Sequence, residues 1–418
     1  MTRWVAPTPE SPVRGAVAVP GSKSATARAY VLAALADAPS QLTGALDARD
    51  TRLMRAALSS LGVEFADVAD GRVLVTPPAV VVPGDVDVGL AGTIMRFVPP
   101  LAALADGATP FTGDPEARAR PVAPLLDGLV QAGVRVEHPS ALPFTVHGVG
   151  HVPGGSVTID ASGSSQFVSG LLLSAARFDR GLLLHHEGGP VPSAPHIGLT
   201  LAMLRDRGVD AEASGPVTWR VAPGPIAARD ETIEPDLINA AVFLAAALPT
   251  AGAVTVPWPR HTLQAADAIL GALEALGGRV ERGPDRVTVR GTGTIPGVEL
   301  DLSQASELTC VVAALLAIAD APGRIRGVGH VRLHETDRLA ALEAELSARG
   351  AGVRQTEDGL EIRPAPLRGG PWRTYADHRM AHAGAVLGLA VPGVELDDLG
   401  ATTKTLADFG GLWHRLVG

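Results

Sequence analysis

The stretch "ILGALEALGGRVERGPDRVTVRGTG", Ile269–Gly293, changes its period midway, and that change decides the fold. Up to Leu276 the apolar residues recur at helical spacing; from Arg279 they alternate as in half-buried strands. Gly277 stands at the switch, where a helix ends most easily on a residue that tolerates positive φ. Gly283, Pro284 and Asp285 mark a turn between the two strands. The block therefore reads as helix, glycine stop, strand, turn, strand.

The block returns four more times, as "ALSSLGVEFADVADGRVLVTP", "LLDGLVQAGVRVEHPSALPFTVHG", "TLAMLRDRGVDAEASGPVTWRVAPG" and "LEAELSARGAGVRQTEDGLEIRP". Its stop glycines are Gly62, Gly133, Gly208, Gly277 and Gly350, spaced 69 to 75 residues apart. A fixed spacing of this size marks a repeat architecture. A second, more apolar helix interleaves with the first, in "ATARAYVLAALAD", "AGTIMRFVPPLAALAD", "SSQFVSGLLLSAARFD", "PDLINAAVFLAAAL", "SELTCVVAALLAIAD" and "DHRMAHAGAVLGLA". Each copy runs into a short strand such as "AVTVPW". The chain thus consists of six units, each βαβαββ in pattern and about 70 residues long. The sixth amphipathic helix, "LADFGGLWHRLVG", reaches the C-terminus without its strands, and "VAPTPESPVRGAVAVP" near the N-terminus has strands to spare. Both ends are therefore expected in one domain, residues 1–20 plus 232–418. A continuous middle domain, 21–231, holds the other three repeats, with the active site in the cleft between the two.

Composition narrows the function. With 418 residues, 46% hydrophobic and 19% charged, the chain is globular and too long for one ordinary core. A net charge of −9 argues against general nucleic-acid binding, which needs a basic face. Cys310 is the single cysteine, so no intrachain disulfide or cysteine-based zinc site can form, and a reducing cytoplasm fits. The opening "MTRWVAPTPESP" lacks the apolar centre of a signal peptide. "CVVAALLAIA" is about half a membrane span and reads as a buried helix.

Polar residues concentrate where the apolar helices begin. "PGSKSATAR", Pro20–Arg28, first suggests a nucleotide phosphate loop, but the required G-x-x-x-x-G-K-[ST] spacing is absent. The alternative is a strand, "GAVAV", followed by a turn and a helix capped by Ser24 or Thr26, with Lys23 and Arg28 near its positive end. Other copies offer Thr93 and Arg96, then Ser164, Ser165 and Gln166, then Asp236 and Asn239, then Glu307, and finally Asp377, His378 and Arg379. Capped helices with solvated charges would explain any one of these starts. If the repeats stack in equivalent orientation, six starts converge into a site for a small polyanion.

"PGSKSATAR", "LAGTIMRF", "GDPEARARP", "GSSQF", "HETDRL", "ADHRMA" and "TTKT" occur in this order along the whole chain. In them the sequence resembles the 5-enolpyruvylshikimate-3-phosphate synthase family, a glyphosate target, with actinobacterial members most similar in character. Each motif alone is weak, whereas seven in order are specific. The resemblance implies a two-domain inside-out α/β barrel of six βαβαββ repeats, closing over its substrates in a cytoplasmic, usually monomeric enzyme. It implies transfer of the enolpyruvyl group of phosphoenolpyruvate to the 5-hydroxyl of shikimate 3-phosphate, releasing phosphate, with no metal or redox cofactor. Carried over by motif, Lys23, Arg120, Arg338, Arg379 and Lys404 hold phosphoenolpyruvate, and Gly92 allows close backbone approach. Gln166 lies between the substrates. Ser24 and Arg28 take the shikimate carboxylate, and Ser164, Ser165 and Ser193 the 3-phosphate. Glu307 stands for the acidic residue near the 4- and 5-hydroxyls, Glu335 for the general acid, and Lys23 bridges both substrates.

The sequence departs from the family in places. Glu307 replaces a common Asp, and His334 a lysine, which removes a permanent cation from the 3-phosphate. His196 replaces a Tyr found in some members, and His330 a frequent Asn. Leu90 and Phe97 replace the Asn and Pro of the usual "NAGTAMRP". Plainer readings compete elsewhere. Arg96 suits a supporting role or a helix-face ion pair, His185 and His186 a surface strand end, and Cys310 the core. His378 and His382 have zinc-chelating spacing but no evident third ligand. Two other functions share these features. A UDP-N-acetylglucosamine enolpyruvyl transferase would carry a reactive loop cysteine, where this loop has Arg118 and Arg120 instead. A non-catalytic polyanion-binding scaffold would not need acids beside its cations.

Overall fold

The computed structural model describes residues 3–418 and divides into two compact units. One is Gly21–Glu234; the other joins the chain up to Pro20 with Pro235–Gly418. The division falls after Glu234 rather than after residue 231, because the strand Glu231–Thr232 pairs with Leu42 and Thr43 of the middle unit.

Among the described residues, the middle unit has three four-stranded sheets, and the outer unit two four-stranded sheets and one three-stranded sheet. A typical repeat begins with Val86–Asp87, which lies parallel to Asp106–Thr112 across the helix Gly92–Ala102. After the helix Ala123–Gln131 come Arg135–Glu137 and Phe144–Val149, whose antiparallel pair joins the sheet through Phe144–Val149. All five stop glycines have φ between 77° and 116°, the left-handed conformation anticipated from the period change.

The apolar helices lie inside and the sheets outside. Every residue of Gly92–Ala102 is buried, as is every residue of His378–Gly388. In Arg286–Arg290, by contrast, Val287 and Val289 are buried while both end residues are exposed. Each unit has its own apolar core, with Phe97, Phe111 and Phe167 in one and Phe243, Phe409 and Trp413 in the other.

Three local expectations need correction. The strand after residue 13 is Arg14–Ala16, and it does not lead the first repeat: it pairs in parallel with Ala253–Thr255 of the fourth. The first repeat takes Glu231–Thr232 instead, so leading strands are exchanged at the two crossings. The first helix, Lys23–Ala34, is capped by Ser22 rather than Ser24 or Thr26, with Ser22 Oγ accepting from the Ala25 amide. His186 is buried rather than on the surface, because strand alternation turns it inward. There its Nδ1 faces the Ala161 amide and its Nε2 the Gly189 carbonyl. The spare N-terminal segment does supply a strand, Trp4–Val5, antiparallel to Val394–Leu396 of the sixth repeat.

Candidate functional site

In the middle unit, the first helix presents Lys23 at its start and Arg28 one turn later. Lys23 Nζ lies 3.4 Å from Asp50 Oδ2, a buried carboxylate in the first turn of the helix Arg49–Ser60. Arg28 is 1% exposed, and all five of its N–H donors meet neutral acceptors. Nε donates to Thr200 Oγ1 at 2.7 Å. One terminal nitrogen donates to the Ser24 carbonyl and hydroxyl, the other to Ser169 Oγ and the His196 carbonyl. The guanidinium also lies over the Phe97 ring, 5.0 Å from its centre. Burial pushes the Arg28 pKa down to about 9, so the group is still charged at neutral pH. Its forks are turned into the protein, and Ser24 is the group they orient.

Gly92 opens the second apolar helix beneath two guanidinium groups. A Cβ there would stand 2.5 Å from Arg96 Nη1 and 2.7 Å from Arg120 Nη2, so only glycine fits without moving them. Arg120 donates to the Leu90 carbonyl at 2.9 Å, and its buried Nε has no hydrogen-bond partner. Arg96 is not a surface ion-pair residue. It is buried, lies over the Phe167 ring, and donates to Gln166 Oε1 at 3.1 Å and to the Pro121 carbonyl. Ser164 caps the third apolar helix by accepting from the Gln166 amide, and Ser165 is its buried first residue. Ser193 has φ of 49°, a strained conformation for a serine, just before the helix Pro195–Arg205.

The outer unit gathers Glu335, Arg338, Asp377 and Lys404. Arg338 grips Asp377 with a bidentate fork at 2.8 and 3.2 Å and donates to Glu335 Oε2 at 2.8 Å. The other Glu335 oxygen accepts from Lys404 Nζ at 2.6 Å. Burial alone would lower the Arg338 pKa, but Asp377 and Glu335 outweigh it and raise the group above its ordinary value. Glu335 precedes the helix Arg338–Arg349 rather than lying within it, with Asp337 as the cap. The ion pair to Arg338 still spans three residues.

Arg338 also donates to His334 Nδ1 at 2.9 Å. Because a guanidinium only donates, that bond requires a neutral imidazole with its proton on Nε2. His334 therefore contributes an N–H where a lysine would contribute a charge. His330 stands edge-on to it, 5.7 Å between ring centres, and shares a 2.9 Å hydrogen bond with Ser306 Oγ. Burial lowers the His330 pKa, and Glu307 partly opposes this. Glu307 lies in the short turn Ser306–Leu308 ahead of the helix Thr309–Ala317. Arg379, at the start of the sixth apolar helix, is buried and donates to Asn239 Oδ1 at 3.1 Å. No described carboxylate lies within ion-pair distance of Arg379, and burial lowers its pKa.

His382 lies inside the outer unit, its ring 4.7 Å from Phe409 and 5.8 Å from His378. Cys310 is buried in the core, which pushes its thiol pKa up to about 12. Sequence reading placed Asn239 and Asp377 at helix starts without their arginine partners, and it missed Asp50, Ser169 and Thr200. Asp377 was readable as a helix start and does cap its helix, accepting from the Arg379 amide. Ser169 and Thr200 gave no such signal, since both sit within apolar helices and are defined only by the arginine they meet.

Two units of three βαβαββ repeats, with cations and acids collected at the helix starts, define the enolpyruvyl transferase class. Residues 7–413 match the family described as EPSP synthase (3-phosphoshikimate 1-carboxyvinyltransferase), and the chain belongs to that family. A 3-phosphoshikimate 1-carboxyvinyltransferase from Kocuria rhizophila is 53% identical over 99% of this chain and 96% of its own length. An EPSP synthase structure from Acinetobacter baumannii matches with a TM-score of 0.80 over 99% of this chain and 98% of its own, at 20% identity. The enolpyruvyl transferase NikO from Streptomyces tendae matches at 0.77 over 98% and 96%, with 21% identity. At those identities the two structures speak for the fold alone.

Proposed function

We infer that the chain transfers the enolpyruvyl group of phosphoenolpyruvate to the 5-hydroxyl of shikimate 3-phosphate, as its family and its Kocuria relative support. The reaction belongs to the shikimate pathway that leads to the aromatic amino acids. Its steps balance without an external reagent. The 5-oxygen attacks C2 of phosphoenolpyruvate and loses its proton, while the methylene carbon gains one. The tetrahedral adduct then loses a proton from that carbon and expels phosphate.

The roles assigned to side chains are part of this proposal. Lys23, Arg120, Arg338, Arg379 and Lys404 bind the phosphate and carboxylate of phosphoenolpyruvate, and Gly92 leaves room beneath them. Ser164, Ser165, Gln166 and Ser193 bind shikimate 3-phosphate, with His334 adding a neutral N–H. Ser24 contacts the shikimate carboxylate directly, and Arg28 acts behind it through charge and orientation. Glu307 addresses the ring hydroxyls. Glu335 exchanges the proton with the methylene carbon, and Lys404 and Arg338 fix both of its oxygens. The reaction runs in the cytoplasm.

One observation carries the binding half of this reading. Arg28, Arg120 and Arg379 are buried and have no carboxylate within ion-pair distance, in a chain whose net charge is −9. A buried cation without a counter-ion is costly, and a bound anion removes that cost. Phosphate release from phosphoenolpyruvate tests the proposal. Release is expected with shikimate 3-phosphate and not with UDP-N-acetylglucosamine. Release with the nucleotide sugar alone would make the chain its relative in chemistry, and release with neither would leave a scaffold.

A further inference from the structure

Arg379 shows how the site keeps a cation both ordered and unneutralised. Its side-chain partner is Asn239, a residue with 0% exposure in the first turn of the helix Leu237–Ala245. The amide is held at both ends. Its oxygen accepts from Arg379 Nη1 at 3.1 Å, and its nitrogen donates to the Thr405 carbonyl at 3.4 Å. This orientation is forced, because a guanidinium can only donate and a carbonyl can only accept. Thr405 directly follows Lys404, whose ammonium binds Glu335. One buried amide thus ties Arg379 to the turn that carries Lys404.

An aspartate would have the same shape and would hold Arg379 more tightly, but it would neutralise it and could not donate to the Thr405 carbonyl. We propose that Asn239 is a positioning residue that orients Arg379 through a neutral acceptor, leaving the charge available to the phosphoenolpyruvate anion. The proposal rests on the function inferred above. Asp236, Glu307 and Asp377 also act on Arg379 through space, but none comes within ion-pair distance. Nε of Arg379 is buried without a hydrogen-bond partner, so the group is held at one corner of its fork only.

The test compares Asn239→Asp with Asn239→Ala in the full-length enzyme, by steady-state kinetics and thermal melting. Asn239→Asp should raise the KM for phosphoenolpyruvate by about tenfold or more, because a close buried charge pair is worth over 1.4 kcal/mol. Its KM for shikimate 3-phosphate should stay within about threefold, and its Tm should stay close to that of the wild type, because the new ion pair offsets the loss of the donor to the Thr405 carbonyl. Asn239→Ala loses both hydrogen bonds but adds no charge, so its phosphoenolpyruvate KM should rise by less. A purely structural role predicts the opposite order, with alanine worse than aspartate. An unchanged KM in folded Asn239→Asp, or equal losses in the two variants, overturns the proposal. Should Asn239→Asp fail to fold, an unchanged phosphoenolpyruvate KM in Asn239→Ala overturns it as well. Wild-type enzyme that releases phosphate normally while the variants behave in any of these ways isolates the failure to Asn239. Wild-type enzyme that releases none would overturn the functional reading itself.

Discussion

Arg28 of the middle unit and Arg338 of the outer unit are the same side chain at nearly the same burial, 1% and 2% exposed, yet they are handled in opposite ways. Arg28 meets hydroxyls, carbonyls and an aromatic face, and burial lowers its pKa. Arg338 meets two carboxylates, and they raise its pKa despite burial. The first arrangement leaves positive charge for a ligand to complete. The second is already complete, and it fixes the position of Glu335. Burial alone therefore does not tell what an arginine is for; the charge of its partners does.

The largest expected effect comes from removing the charge that Arg338 and Lys404 share. Glu335→Gln should lower kcat by about 10²–10⁴-fold, the range for a lost proton-transfer group, with shikimate 3-phosphate affinity within a few-fold. Turnover at the wild-type rate would remove Glu335 from the chemistry. The two arginines come next, compared directly by denaturant unfolding and substrate titration. Arg338→Met strands Asp377, leaves Glu335 to Lys404 alone and should cost about 3–5 kcal/mol of stability. Arg28→Met strands no carboxylate and should cost no more than about 2 kcal/mol, the price of a few neutral hydrogen bonds offset by relief of desolvation. It should nevertheless weaken shikimate 3-phosphate binding about tenfold or more. Equal stability losses in the two variants would erase the distinction.

The smallest effect concerns His382, which packs near both Arg379 and Arg338. Burial lowers its pKa well below 6.5, and the two arginines lower it further. As pH falls through 6.5 the unfolded imidazole takes up a proton that the folded one refuses. Stability is therefore full above pH 6.5 and declines below it, by at most about 1.4 kcal/mol per pH unit. His382→Leu should flatten that slope between pH 6.5 and 5 in thermal melts, and an unaltered slope would assign the acid sensitivity elsewhere.

The repeats were legible because their signals are local. A switch from helical to alternating period, and a glycine that must take positive φ, need no knowledge of distant residues. The cations of the site were legible because they lie in short motifs. Their partners were not, since Arg28 reaches Ser169 and Thr200 more than 140 positions away, and nothing in those apolar helices announces the contact. The inward turn of Arg28, the bidentate grip of Asp377 and the amide bridge of Asn239 are all tertiary. The exchanged strands were hidden for another reason. Arg14–Ala16 and Glu231–Thr232 are too short to carry a pattern, and each is fixed only by its partner strand.

That exchange sets an order of assembly during synthesis. The middle unit needs nothing before Gly21, and its last strand, Glu231–Thr232, leaves the ribosome well before the rest of the chain. Its ends meet, with the Ser22 amide donating to the Glu234 carbonyl at 2.8 Å, so it can close as a finished cassette. Trp4 has to wait for Leu396, which is made long after the middle unit. Arg14–Ala16 finds its partner once Ala253–Thr255 has emerged, whereas Trp4–Val5 stays unpaired until Glu395 and Leu396 follow, so the outer unit closes in two stages.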